Sequence, residues 1–403
     1  MTVAPSVSSR RRPPVKRRDW TISGLWHNVG FRNVLAQVLV AGVIIGAAVF
    51  MINNALIAMD KRGISTGFDF LWQEAGFAIG ETPIAFTSSD SFFRAYVVAV
   101  LNTLRVSALS ILAATILGVL IGIARLSSNV IIARLASAYV ELFRNTPQLV
   151  QIIFWYTLMT MLPHPKQAMS FFDWAFLSNR GLYVPWPGDN PVYGWMLLAF
   201  VGACIAAWSL VKIAAARRRK TGRITPVLAW NVALIIAAPT LVWIVCGAPT
   251  ELSIPALRGF NFRGGASLSP EFLALLLGLS LYIAAFIAEI VRSGIQSIDK
   301  GQLEAATSVS LKKSDTYRHV VLPQALRVMV PPAAAQYVST VKNSSLGVAI
   351  GYPELFNINN TITTISGNTI EAIGIMMAVY LSIAFSIAVV MNLYNKSVQL
   401  KDR

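Results

Sequence analysis

The chain has 403 residues, is 55% hydrophobic and only 13% charged, and carries a formal net charge of +16. Soluble domains hold about 25% charged residues. Several apolar runs here reach the ~20 residues that cross a bilayer as helix, so an ordinary soluble domain is excluded. No long alternation of polarity suggests a β-barrel. The basic residues gather in particular loops, as the positive-inside rule expects, and form no aromatic-basic nucleic-acid motif.

The expected fold is an all-α polytopic membrane protein with about eight transmembrane helices. Residues 1–33, with Arg10-Arg11-Arg12 and Lys16-Arg17-Arg18, read as a basic cytoplasmic tail. Residues 34–57 form a first span, longer than a signal-peptide core and with no A-x-A site after it. Residues 58–95 are rich in acids and belong outside. The second span, 96–124, carries Asn102 and Arg105 early and Gly118 and Gly122 at helix-packing spacing. Arg105 reads either as a snorkelling interfacial cation or as a costly charge at depth.

Residues 125–144 read as a basic inside loop. Pro147 suits a helix start, because the first turn needs no amide donor there, and a third span runs to about Leu162. An outer loop, 163–193, holds Trp174, Tyr183 and Trp186 as an aromatic belt. Spans 194–214 and 226–246 flank Arg217-Arg218-Arg219-Lys220 and Arg223, the clearest inside signal in the chain. A further outer loop, 248–270, leads to the sixth span, 273–291. The seventh begins near Val328 with Pro331-Pro332 at its entry and contains Lys342-Asn343-Ser344. Residues 352–370 read as an outer Asn/Thr-rich loop and 372–393 as the eighth span, which returns the basic tail to the inside. Cys204 and Cys246 stand at different depths and read as apolar fillers, and His27, His164 and His319 are scattered, so no metal site is predicted.

Between the sixth and seventh spans lies the polar segment 304–323. Glu304-Ala305-Ala306 begins a short helix of good helix formers, Ser310 redirects it, and a second run from Lys312 to Val321 is expected to stop at Pro323, with Leu322 biased away from helix. The spacing Glu304-Ala305-Ala306, Ser310, Val320, Leu322-Pro323 resembles the cytoplasmic "EAA" loop of binding-protein-dependent ABC importer permeases. Ser310 stands where that family has Gly and Val320 where it has Ile. The phrases from Glu141 to Pro147 and from Glu289 to Ile298 are similar to the polar-amino-acid branch. Those from Gly63 to Phe68 and Glu74 to Glu81 are similar to its general L-amino-acid subgroup.

The resemblance covers roughly 98–160 and 271–398. It implies a type I ABC importer permease-like core within 96–398, interrupted by an insertion at 163–270 that carries two extra helices. It implies a multi-pass protein of the bacterial inner membrane with both termini cytoplasmic. Its partners would be cytoplasmic ATP-binding subunits, a second permease subunit that is a paralogue, a periplasmic amino-acid-binding protein and membrane lipid, with no nucleic acid. No G-x-x-x-x-G-K-[ST] phosphate loop is present, so the chain reads as a transport subunit rather than an enzyme. It would bind no cofactor itself, ATP and Mg acting through the partner ATPase. The resemblance implies that Glu304 makes a charge-assisted contact in a cleft of the ATPase, that Ala305 and Ala306 permit close approach, that Ser310 shapes the turn, and that Leu322 and Pro323 end the segment. Lys342, Asn343 and Ser344 read equally as lining of the translocation path and as helix-to-helix hydrogen-bonding groups. The competing function, a stand-alone secondary transporter or channel for small polar solutes, leaves the spacing of 304–323 unexplained.

Overall fold

The computed structural model describes residues 29–61, 67–188, 190–221 and 227–398. The basic tail therefore lies almost wholly outside the described residues, as do Lys401 and Arg403. The chain divides into two units, Met1–Gly67 and Phe68–Arg403. Among its described residues the first unit holds one helix, α1 (Val29–Lys61), whose apolar side chains, among them Val43, Ile44 and Phe50, are exposed. A helix apolar around its circumference suits lipid better than water.

The second unit is built on two long helices, α2 (Phe92–Ala124) and α7 (Pro270–Gln296). Each starts on a serine that caps it: Ser91 accepts from the Arg94 amide and Ser269 from the Phe272 amide. Ala114, Gly118 and Gly122 recur every fourth residue on α2 and meet Ile283, Ile287 and Val291, spaced likewise on α7. Such rows interlock as ridges in grooves. A Cβ on Gly118 would stand 2.6 Å from Ile287 Cβ, and one on Gly122 2.7 Å from Val291 Cβ, so the missing side chains allow the approach.

Around this pair stand α3 (Val130–Asn145), α4 (Gln148–Thr160), α10 (Leu322–Asn343), α11 (Leu355–Ser366) and α12 (Thr369–Val398). The short helices α8 (Lys300–Ser308) and α9 (Lys313–Thr316) lie between α7 and α10. Among the described residues five helices are long and apolar enough to cross a membrane: Val29–Asn54, Phe92–Ala124, Pro191–Ala214, Pro270–Gln296 and Thr369–Asn395. The protein is thus mostly helical with five candidate spans, against the eight expected. α4 has only 13 residues, α10 is broken up by polar groups from Gln324 to Asn343, and the second helix of the insertion offers a short apolar stretch, Ala229–Val245.

The all-α expectation needs correction. The two loops expected outside contain strands β1 (Met169–Phe171), β2 (Ala175–Ser178), β3 (Gly181–Val184), β4 (Trp186–Pro187), β5 (Leu252–Ser253), β6 (Ala256–Arg258), β7 (Asn261–Arg263) and β8 (Ala266–Leu268). An antiparallel sheet of order β1-β2-β3-β8 pairs Leu182 with Leu268, closing both loops into one structure. Gly181, at φ +112°, lies where a Cβ would collide with the Leu268 carbonyl, so only glycine fits the junction. The helices α5 (Pro191–Thr221) and α6 (Val227–Val245) leave and return through this sheet as a hairpin.

Two expected loops are helices. Residues 125–144 are mostly α3, because Asn129 caps its start and Ala136 and Val140 form a buried stripe beneath the exposed charges. Residues 352–370 contain α11, capped by the Glu354 carboxylate on the Phe356 and Asn357 amides, each at 2.8 Å. Pro331 and Pro332 sit inside α10 rather than at its entry. Pro323 does not end the segment either. It stands at the first turn of α10, and the preceding residues Tyr317–Val321 form a π-turn. A proline ring clashes with the carbonyl four residues back, here that of His319, and the wider turn relieves that clash.

Candidate functional site

Three sets of polar residues interrupt the apolar fold. The first is 304–323. Asp299 caps α8, accepting from the Gly301 amide at 2.7 Å. Glu304 and Ala305 are exposed, whereas Ala306 is buried. At the end of α8 the Ser310 amide donates to the Thr307 carbonyl at 2.9 Å and the Leu311 amide to the Ala306 carbonyl at 3.1 Å. These are the two bonds of a Schellman ending, which requires a left-handed residue between them. Ser310 is that residue, at φ +56°. The turn is followed by exposed Lys312 and Lys313, α9 and the π-turn. Leu322 is exposed and Pro323 half-buried. The segment thus presents Glu304, Ala305, Val309 and Leu311 outward on a tight, hydrogen-bonded corner.

Just before it, Glu289 near the end of α7 gathers three arginines. It accepts from Arg125, which follows α2, and from Arg292 at 2.5 Å, with Arg144 of α3 at 3.9 Å. Arg144 also lies over the Phe286 ring, 5.2 Å from its centre. One carboxylate therefore ties the end of α2, α3 and the last turns of α7 together. The Glu289 phrase carries no visible role in sequence, because the partner that ties it to the end of α2, Arg125, stands 164 residues away.

The second set lies near the start of α2. Arg105 donates to Glu81 at 2.7 Å and its guanidinium stacks on Phe272, 4.5 Å from the ring centre. A carboxylate and an aromatic face neutralise the cation where it stands. Ser269 donates to the other Glu81 oxygen at 2.6 Å, and the Asn102 amide group donates to the Glu81 and Pro353 carbonyls, both at 2.9 Å. Burial pushes the Glu81 carboxyl above its ordinary value, against the opposing pull of Ser269 and Arg105.

The third set ends α10. Lys342 is exposed and lines a cavity of about 490 Å³ with Ser339, Asn392 and Asn395, between α10 and α12. Asn343 turns away and donates to Gln148 of α4 at 2.7 Å. Ser344 is fully buried and donates to the Val341 carbonyl at 2.7 Å. The structure therefore brings Lys342 to an open cavity and uses Asn343 and Ser344 inside the protein. Beyond them Glu354, fully buried, receives a hydrogen bond from Tyr380 at 2.7 Å. Burial pushes its carboxyl up to about 7, although the Phe356 amide, Tyr380 and the Asn357 amide favour the ion. No sequence signal marked it, since a glutamate opening an Asn-rich stretch reads as loop.

The family described as "Binding-protein-dependent transport system inner membrane component" matches residues 114–400. The chain is 44% identical over 378 residues to a putative amino-acid ABC transporter permease protein, YhdX, of Escherichia coli, covering 93% of this chain and 96% of that protein. It is 38% identical over 391 residues to the general L-amino acid transport system permease protein AapQ of Rhizobium johnstonii, with 97% and 98% covered. It is 37% identical over 423 residues to the glutamate/glutamine/aspartate/asparagine transport system permease protein BztB of Rhodobacter capsulatus, with 97% and 99% covered.

Proposed function

The chain belongs to the family of binding-protein-dependent transport system inner membrane components, a multi-pass transport component rather than an enzyme, and on that premise we propose that it is the permease of an ATP-driven amino-acid importer. Membership implies partner ATPase and binding-protein subunits, with ATP hydrolysis in the former. The amino-acid cargo is supported by similarity along nearly the whole chain to three permeases named for amino acids.

The observation that carries the mechanism is the exposed corner at Ser310. In our reading Glu304 and Ala305 dock in a cleft of the ATPase, Ala306 seats α8 against its own chain, and Ser310 holds the corner rigid. Leu322 and Pro323 join the segment to α10, so that its movement reaches the path. ATP can bias the gate only if these contacts differ between two states of the importer. The path runs beside Lys342, with Asn343 and Ser344 fixing the end of α10. The chain crosses the membrane eight times, both termini lie in the cytoplasm, and a paralogous permease completes the pair.

Affinity purification of this chain in mild detergent, with and without Glu304→Arg, tests the reading. Recovery of a P-loop ATPase that is lost in the variant, with membrane insertion intact, is the expected result. Normal uptake by Glu304→Arg would overturn the docking role. A homo-oligomer without ATPase would favour a stand-alone transporter.

A further inference from the structure

The insertion hairpin carries a cavity that none of this transport mechanism uses. Leu210, Ile213, Ala214 and Arg217 repeat at helical spacing on α5 and face Val227, Trp230, Ala233 and Ala237 on α6. Between them lies a hollow of about 490 Å³, within the size range of small-molecule and cofactor sites. Alanines 214, 233 and 237 make the hollow, since each stops at Cβ where Leu210 or Trp230 fills space. The walls are apolar and Arg217 stands at one end. Trp230 and Ile213 are exposed, so the hollow opens sideways.

The end that holds Arg217 is also where the sequence runs Arg217-Arg218-Arg219-Lys220 and then Arg223. Clusters of four to eight cations on the cytoplasmic side of a transmembrane helix attract anionic lipid headgroups, each worth ~1 kcal/mol near the surface. One turn back, Lys212 lies 3.5 Å above the Trp208 ring, a cation and an aromatic of the kind that anchor a helix at the headgroup level. An apolar trough open to the side with Arg217 at its end, and further cations next to it in the sequence, matches one chemistry: an acyl chain joined to a negative headgroup. A helix from a partner subunit would fill the trough but would leave the cations without a counter-charge.

We propose that the α5–α6 hairpin binds one anionic phospholipid of the cytoplasmic leaflet, with an acyl chain between Ala214, Ala233 and Ala237 and the phosphate at Arg217.

The importer complex, purified in detergent and exposed to equal amounts of phosphatidylglycerol and phosphatidylethanolamine, tests this by native mass spectrometry. The wild-type complex should retain phosphatidylglycerol in preference. Arg217→Gln should weaken that preference about fivefold, the equivalent of ~1 kcal/mol for one cation at an anionic surface. Ala233→Phe fills the trough and should abolish retention of both lipids at this site. If that variant does not assemble, Ala237→Leu fills less and serves the same purpose. Equal retention of the two lipids by wild type, or undiminished retention in the filled variants, would overturn the proposal. So would a photocrosslinker at position 230 that captures a partner polypeptide in place of lipid.

Discussion

Arg105 and Glu81 meet at 2.7 Å across 24 residues of chain, one on the second helix and the other in the segment before it. The pair fastens that segment to α2, and the Ser269 bond fastens it to α7. Arg105→Ala leaves a largely enclosed carboxylate without its cation. We expect a loss of about 1–3 kcal/mol, the cost of a buried polar group deprived of its partner. Limited proteolysis between residues 68 and 91 would report it as faster cleavage. Arg105→Lys should restore only part of the protection, since an ammonium keeps the charge but not the planar stack on Phe272.

Ser310 occupies a left-handed position that costs a residue with a side chain about 1–2 kcal/mol. Ser310→Gly should therefore tighten the corner. Hydrogen exchange at the Leu311 amide, which bonds the Ala306 carbonyl, should slow by about fivefold for each ~1 kcal/mol gained. Ser310→Val should have the opposite effect, because branching at Cβ worsens the same clash. Unchanged exchange in both variants would mean that the corner is not set by this residue.

Glu354 gives the end of the protein around α11 a pH dependence. Its carboxyl rises from 4.5 to about 7 on folding, so the folded chain holds a proton that the unfolded chain releases. Its favourable contribution is complete below pH 4.5, falls as pH rises towards 7, and is gone above that. Thermal denaturation of the purified complex should show melting temperature declining across that window. Glu354→Gln, neutral throughout, should remove this part of the slope.

Gly118 and Gly374 make a contrasting pair. A Cβ at 118 meets Ile287 Cβ at 2.6 Å and the Ala284 carbonyl at 2.9 Å, whereas one at 374 meets nothing within 4 Å. Gly118→Ala should lower stability by about 1–3 kcal/mol through overpacking. Gly374→Ala should raise it by up to ~1 kcal/mol through helix propensity. Equal effects would mean that α2 and α7 can separate freely.

The long apolar helices and the family were legible because their signals are local: continuous hydropathy, the spacing of Gly118 and Gly122, the helix start at Pro147 and the fixed intervals of 304–323. What escaped depends on distant partners. β3 pairs with β8 across the whole hairpin, so two short strands looked like loop. Arg125, Arg134 and Arg144 hid the buried Ala136 and Val140 stripe of α3. Glu354 forms a cap whose stability comes partly from Tyr380 on another helix. Pro323 misled most, because its usual effect was cancelled by a change of helix type in the residues before it.

That change has a rotational consequence. A π-turn holds one residue more than the α-helix it interrupts, and one residue turns a helix by about 100°. Tyr317–Val321 therefore sets the phase between the Ser310 corner and α10. Deleting a single residue there would let α geometry run through and swing Glu304 by roughly a quarter-turn about the α10 axis, pointing it away from its present direction with every contact residue intact. We expect such a deletion to abolish uptake as completely as Glu304→Arg while leaving the chain in the membrane, and a second deletion or insertion that restored the phase to recover it.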